Sequence, residues 1–135
     1  MPEVGADGHP GDAELRTHEF NDSMAVSLET VKRTFAAYDL LDEQVRFLPG
    51  WFADTLPAAP ISRLALIRMD GDLYTSTMDA LTWLYPKLSV GGFVIVDDFI
   101  VAPCREAVHD YRERAGITDP IADIDGVGAF WRRSG

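Results

Sequence analysis

Apolar residues recur along the chain in two rhythms, and the alternation between them sketches the fold. Over residues 28–41, LETVKRTFAAYDLL, Leu28, Val31, Phe35 and Tyr38 share one face of a helix that Ser27 is placed to cap. QVRFLPGWF predicts a short strand over 45–48, broken by Pro49-Gly50 and followed by the turn-rich ADTLPAAPIS. RLALIRMD predicts a second strand, apolar on both faces like a strand inside a parallel sheet. In STMDALTWLYPKL the helical spacing returns through Met78, Leu81, Leu84, Tyr85 and Leu88. Thr75 or Ser76 is its expected cap, and Pro86 should bend or shorten its last turn.

Ser89-Val90-Gly91-Gly92 reads as a turn into a third strand, FVIVDDF. Pro103 then opens a helix with Cys104, Val108, Tyr111 and Ala115 on one face and Gly116 as its stop. PIADID and GAFWRR, joined around Asp125-Gly126, predict an antiparallel pair. Residues 1–22 show no periodicity and read as a loop or lid ahead of one domain over 23–135. Strand, helix, strand, helix, strand, strand is the order of an open, mostly parallel α/β sheet. In such a sheet Asp70 and Asp97 sit at the carboxyl ends of parallel strands, where α/β sheets bind ligands. The order therefore gathers Asp70, Asp72, Asp97 and Asp98 at one crevice.

Composition narrows the choice of partner. The 135 residues carry 12 basic and 22 acidic side chains, a net charge of −10. That balance disfavours a nucleic-acid backbone or an anionic membrane and suits cations, metal ions included. It also serves simple solubility. No apolar run is long enough to span a bilayer, and the acidic, Gly/Pro-containing N-terminus is unlike a signal peptide. One cysteine, Cys104, forms no internal disulfide and fits a reducing cytoplasm.

Like charges brought together raise one another's pKa, and a hard divalent ion removes that cost by taking their oxygens as ligands. Helix capping is the plainer use for such acids, but it accounts for one acid per loop rather than two. An EF-hand starting at Asp70 fails, with Thr75 and Leu81 where glycine and glutamate are needed. A DxD phosphotransferase or glycosyltransferase stays open, although Tyr74 departs from the usual continuation of the phosphotransfer motif. A metal-assisted group transfer to a hydroxyl stays open as well.

The stretches LIRMDGDLYTSTMDALTWLYPKLSVGGFVIVDDF, CREAVHDYRERAGI and IDGVGAFWRR resemble the macrocin O-methyltransferase family. HEFNDSMAVSLETVKRTFAAYDLLDEQVRFLPGWFADTLP resembles the segment before that core. These are metal-assisted, S-adenosylmethionine-dependent enzymes that methylate sugar hydroxyls of antibiotics. The resemblance implies a class I, Rossmann-like methyltransferase sheet, with magnesium held by Asp70, Asp97 and Asp98 and Asp72 as general base. The roles of Asp70 and Asp72 are interchangeable on this ground. Gly50, Trp51 and Phe52 would line the cofactor's adenine, or Trp51 and Phe52 would be core. His18 and Glu19 would belong to a lid or to a surface loop, and Cys104 to packing.

One departure from the family pattern is large. Class I methyltransferases open with a strand, a glycine-rich loop and a helix, then a second strand ending in an acid. Gly5, Gly8 and Gly11 follow no strand and open no helix, so they do not supply that loop. The sequence thus predicts a sheet lacking its first two strands, with an edge open to self-association or to a complementing chain. The reading is then the C-terminal portion of a magnesium-dependent O-methyltransferase, with an inactive remnant or associating module as the alternative.

Overall fold

The computed structural model describes residues 8–20 and 25–135, and of residues 18 and 20 the backbone alone. Helix α1 spans Pro10–Leu15 and a 3-10 turn spans Thr17–Phe20. Helix α2, Leu28–Ala37, begins as its sequence predicts, the Ser27 hydroxyl accepting a hydrogen bond from the amide of Thr30. A single-turn helix α3 covers Phe52–Thr55. Strand β1 is Leu64–Met69, helix α4 Tyr74–Leu84, strand β2 Leu88–Val96 and helix α5 Ala102–Arg114. Strands β3, Ala122–Asp123, and β4, Ala129–Arg132, complete the sheet.

The sheet has the order β1-β2-β4-β3. Only β1 and β2 run parallel; β4 is antiparallel to β2 and to β3. The expected mostly parallel sheet is thus corrected for the described residues, because the C-terminal hairpin supplies two of the three pairings. The hairpin itself falls where the sequence places it. Its turn is held by side chains, Asp123 accepting from the Gly126 amide and Asp125 from those of Val127 and Gly128.

Four further local expectations change. Residues 45–48 form no strand, having no ladder to join; Phe47 instead meets Phe35 of α2 edge-on at 5.8 Å. Ser89–Gly92 belong to β2 as a bulge, since Leu64 pairs with Leu88 but Leu66 with Phe93. Glycine is needed there: a Cβ on Gly92 would stand 2.7 Å from the carbonyl oxygen of Ala65. The N-terminal stretch, expected as loop, contains α1, which Pro10 at its first turn favours. Finally, β1 is not covered on both faces. Ile67 and Met69 are buried, whereas Leu66 is 49% exposed, because α4 and α5 pack on one side of the sheet only.

That covered side carries the core. Ile67, Met69, Val94 and Val96 point from the strands towards Ala80, Leu81 and Tyr85 of the α4 region, Cys104 and Val108 of α5, and Trp131 of β4. Pro86 ends α4 as expected, turning residues Tyr85–Lys87 into a 3-10 helix. Gly116 ends α5 with φ 66°, its amide donating to Glu113 O at 3.1 Å while the Ile117 amide donates to Arg112 O at 2.9 Å. This paired closure is the Schellman motif that glycine's left-handed freedom allows. No described helix is long and apolar enough to cross a membrane.

Candidate active site

Met69 and Val96 are register partners at the last rungs of the two parallel strands. The ladder reaches one step further, with the Asp97 amide donating to Met69 O at 2.9 Å. Asp70 and Asp97 therefore leave the sheet side by side, at the end where the spacing predicts.

The loop after β1 is tight. Asp72 sits at φ 51°, a left-handed conformation that aspartate tolerates better than most residues, and the Leu73 amide closes onto Gly71 O. This turn points the Asp72 amide at Asp98, whose Oδ2 accepts from it at 3.3 Å. Gly71 has little spare room, since a Cβ there would stand 3.4 Å from Ser76 Cβ and 3.8 Å from Phe52 Cε2. All four predicted acids are thus brought together, and the Phe52 ring stands beside their loop. Trp51 lies 54% exposed at the start of α3, and Gly50 has φ 137° with Thr55 packed where a Cβ would project.

The electrostatics follow from the crowding. Partial burial, then the charge of Asp98, then its hydrogen bond with Asp98, then Asp70, push Asp72 up to about 6. Asp70 is raised by burial and by Asp98 and Asp97, with Arg68 opposing. Arg68 is the local counter-charge: its guanidinium bonds Asp97 Oδ2 and lies 3.6 Å from Asp70 Oδ2. Among the described residues no three His, Cys, Asp or Glu side chains are gathered closely enough to hold a metal ion as they stand. Yet the donor set is right for a hard cation, being carboxylate oxygens on adjacent loops with their repulsion only partly relieved.

Asp12 is a participant the sequence did not single out. Its carboxylate, 1% exposed, accepts from the Tyr74 amide at 2.5 Å, the Thr75 amide at 3.0 Å and the Thr75 hydroxyl at 2.7 Å. It caps α4 from the segment expected as loop, and neither Thr75 nor Ser76 does so; Leu73 holds the cap position without a side-chain bond. Around it His9 stacks on Tyr74 at 3.8 Å, and the Tyr74 hydroxyl donates to Asp110 at 2.8 Å. The expected lid role of His18 concerns a side chain outside the described residues, and Glu19 pairs with Arg16. Cys104 is buried, with Thr77 Oγ1 at 3.4 Å from its sulfur, which suits packing.

Two clefts open along the C-terminal hairpin, one of them at the acids. One, of about 280 Å³, is lined by Asp97, Asp98, Ile124, Asp125, Val127 and Gly128. The other, of about 430 Å³, shares Val127 and Gly128 and runs between Phe99, Ile100 and His109. No motif marked its lining, because it comes from a loop, a helix and a hairpin far apart in sequence.

Comparison with known proteins places this chain in a family. The model of the macrocin-O-methyltransferase (TylF) family matches residues 1–133. The chain is 64% identical, over 99% of its length, to 8-demethyl-8-(2,3-dimethoxy-alpha-L-rhamnosyl)-tetracenomycin-C 4'-O-methyltransferase of Streptomyces olivaceus, covering 51% of it. It is 57% identical over 99% of its length to mycinamicin III 3''-O-methyltransferase of Micromonospora griseorubida, covering 54% of that protein. Its fold superposes on the structure of the O-methyltransferase NovP with a TM-score of 0.97 and 57% identity, over 100% of this chain and 56% of NovP. The calicheamicin methyltransferase CalS11, 20% identical with a TM-score of 0.57 over 98% of this chain and 56% of its own, shares the fold. The chain spans about half the length of the curated relatives it matches. It belongs to the macrocin-O-methyltransferase (TylF) family.

Proposed function

We propose that these residues form the acceptor- and metal-binding portion of a magnesium-dependent, S-adenosylmethionine-dependent O-methyltransferase acting on a sugar hydroxyl. The observation that carries the reading is the Met69–Val96 register, which delivers Asp70, Asp72, Asp97 and Asp98 to one end of one sheet. The relatives support the reaction, being named as O-methyltransferases, one on a rhamnosyl group and one on mycinamicin III.

In this reading Asp70, Asp97 and Asp98 hold the ion once Arg68 has moved aside. Magnesium there would lower the pKa of a bound acceptor hydroxyl. Asp72 would take the acceptor hydroxyl's proton, and S-adenosylmethionine, when bound, would supply the methyl group that the oxygen accepts. Phe52, and with it Trp51 and Gly50, would face the cofactor's adenine. The strand, glycine-rich loop and helix that hold the rest of the cofactor would come from sequence beyond these 135 residues, or from a complementing chain. The position of β1 at the end of the strand order β1-β2-β4-β3 supports that assignment, because it leaves an unpaired edge among the described residues. That edge also favours a second reading, an associating module without activity of its own. A cytoplasmic location accords with the single reduced cysteine.

Calorimetric titration with magnesium and with S-adenosylhomocysteine tests this. Magnesium should bind, and Asp97→Asn and Asp98→Asn should each weaken it; equal affinity in both variants would end the metal assignment. Heat from S-adenosylhomocysteine in saturating magnesium would mean this chain holds cofactor unaided. No such heat would favour a site that needs the rest of the cofactor half.

A further inference from the structure

Helix α1 touches the first turns of both α4 and α5, the helices that follow the two acid loops. Asp12 reaches α4, where its buried carboxylate takes the amides of Tyr74 and Thr75 and the Thr75 hydroxyl. Gly11 reaches α5 so closely that a Cβ there would stand 2.9 Å from Pro103 Cγ. The Tyr74 side chain is held as well, its ring stacked against His9 and its hydroxyl bonded to Asp110.

A cap that only stabilises a helix comes as a rule from the residue at the cap position. Here that residue is Leu73, and the bonds come instead from 62 and 63 positions away. The consequence falls on residues 70–73, which bridge strand and helix. They are fixed at one end, where the Asp97 amide donates to Met69 O, and at the other, where Asp12 holds Tyr74. Between these anchors Asp72 has φ 51°, and the amide of the buried Leu73 closes onto Gly71 O. A left-handed conformation in a residue other than glycine persists where its surroundings impose it.

We propose that Asp12 is a positioning residue of the acid site. By anchoring the first turn of α4 it holds Asp72 in its left-handed conformation and keeps Asp70 and Asp72 beside Asp97 and Asp98. What this inference says of an ion rests on the O-methyltransferase reading above; what it says of the loop stands without that reading. Released from Asp12, Asp72 is free to relax towards ordinary backbone angles, which turns its amide away from Asp98 Oδ2. The carboxylates then have to be brought back together when an ion binds, and affinity falls by the cost of that ordering.

The test is a manganese titration of the 135-residue chain, followed by electron paramagnetic resonance, on the wild type, Asp12→Ala, Asp12→Asn and Leu88→Ala. Asp12→Ala should bind at least about tenfold more weakly, the low end of what a metal site loses with its ligands' supporting contacts. Asp12→Asn, which keeps one acceptor oxygen, should fall between. Leu88→Ala truncates a buried side chain at the end of β2 away from the acids. It lowers stability without touching the loop, so its affinity should match the wild type. A cap that served stability alone would leave all four affinities equal in the folded proteins, and that result overturns the proposal. So does a loss in Leu88→Ala as large as that in Asp12→Ala. Circular dichroism verifies folding. If Asp12→Ala does not fold, Asp12→Asn decides, and an affinity equal to the wild type overturns the proposal.

Amide hydrogen exchange without metal separates failure of this inference from failure of the metal reading. In the Asp12 variants exchange should quicken at Asp72 and Leu73 as well as at Tyr74 and Thr75, while the Val94 amide of β2 keeps its wild-type rate. Quickening confined to Tyr74 and Thr75 makes Asp12 a helix cap alone and overturns the positioning role. A wild type that binds no manganese, with exchange still spreading through the loop in the variants, overturns the metal assignment and supports the positioning role.

Discussion

Arg68 and Asp97 face each other across the parallel pair β1–β2, joined by a hydrogen bond from guanidinium to carboxylate two rungs past the Arg68–Ile95 partners. With Asp70 3.6 Å from the same guanidinium, one arginine partly neutralises two of the acids that would ligate magnesium. This explains how the sheet tolerates four carboxylates at the ends of two apolar strands. It also makes Arg68 a competitor of any incoming cation. Arg68→Gln should tighten manganese binding by about 1 kcal/mol, roughly fivefold, the upper range for a half-exposed ion pair. Weaker binding in the variant would instead mean that the guanidinium aligns the carboxylates for the ion.

The cap that Asp12 places on α4 gives a stability prediction. Asp12→Ala removes an acceptor of three hydrogen bonds and a favourable charge at a helix N-terminus. Cap losses run at about 1–2 kcal/mol, and the burial of this one puts it at the upper end. Asp12→Asn keeps one acceptor oxygen and should lose less. Urea unfolding curves of the three proteins decide the order, and a neutral Asp12→Ala would show that the N-terminal segment does not bear on α4.

Cys104 should be chemically silent in the folded protein. Burial is the main cause that lifts its thiol to about 11, with Asp98 and Asp72 adding to it and the Thr77 hydroxyl opposing. At pH 8 roughly one molecule in a thousand would carry the thiolate that reacts. A disulfide reagent should therefore label Cys104 only as fast as the chain unfolds, with the rate rising through the urea transition. Rapid labelling in buffer would contradict the packing of α5 on α4.

Local signals made much of this molecule legible in advance. Ser27 before a helical rhythm, Pro103 inside a helix start and Gly116 after its end act through the adjacent backbone, and each falls where its chemistry requires. The gathering of Asp70 with Asp97 was legible as well, because a strand-helix-strand crossover returns almost only one way. What escaped were relationships between distant residues. Asp12 and Tyr74 are joined by a hydrogen bond that no periodicity announces. VRFL has the composition of a strand, but a strand exists only where a neighbour offers its ladder, so composition alone misplaced it. The clefts along the hairpin were invisible for the same reason, their linings drawn from the loop after β2, helix α5 and the hairpin turn.

The crowded acids also set a pH dependence of stability. Asp72 in the folded chain holds its proton up to about pH 6, well above an unfolded aspartate, chiefly because it is partly buried and faces Asp98. Between about pH 4 and 6 the folded state consequently binds more protons at this residue than the unfolded state does. Its contribution to stability therefore grows as pH falls from 6 to 4, is complete below the unfolded pKa, and is lost as pH rises through 6. Asp125, held below the usual carboxylate range by the Gly128 and Val127 amides whose hydrogen bonds it accepts, acts in the opposite direction. Asp98→Asn removes the strongest charge acting on Asp72, so it should flatten the Asp72 component and raise stability most at pH 7. Urea midpoints for the wild type and Asp98→Asn across pH 4–7, without divalent ions, measure this difference. A wild-type minus variant difference that does not change with pH would show that Asp72 and Asp98 do not share a proton-linked interaction. Added magnesium should reduce the penalty at pH 7 in the wild type, because the ion then neutralises the charge that protonation neutralises at lower pH.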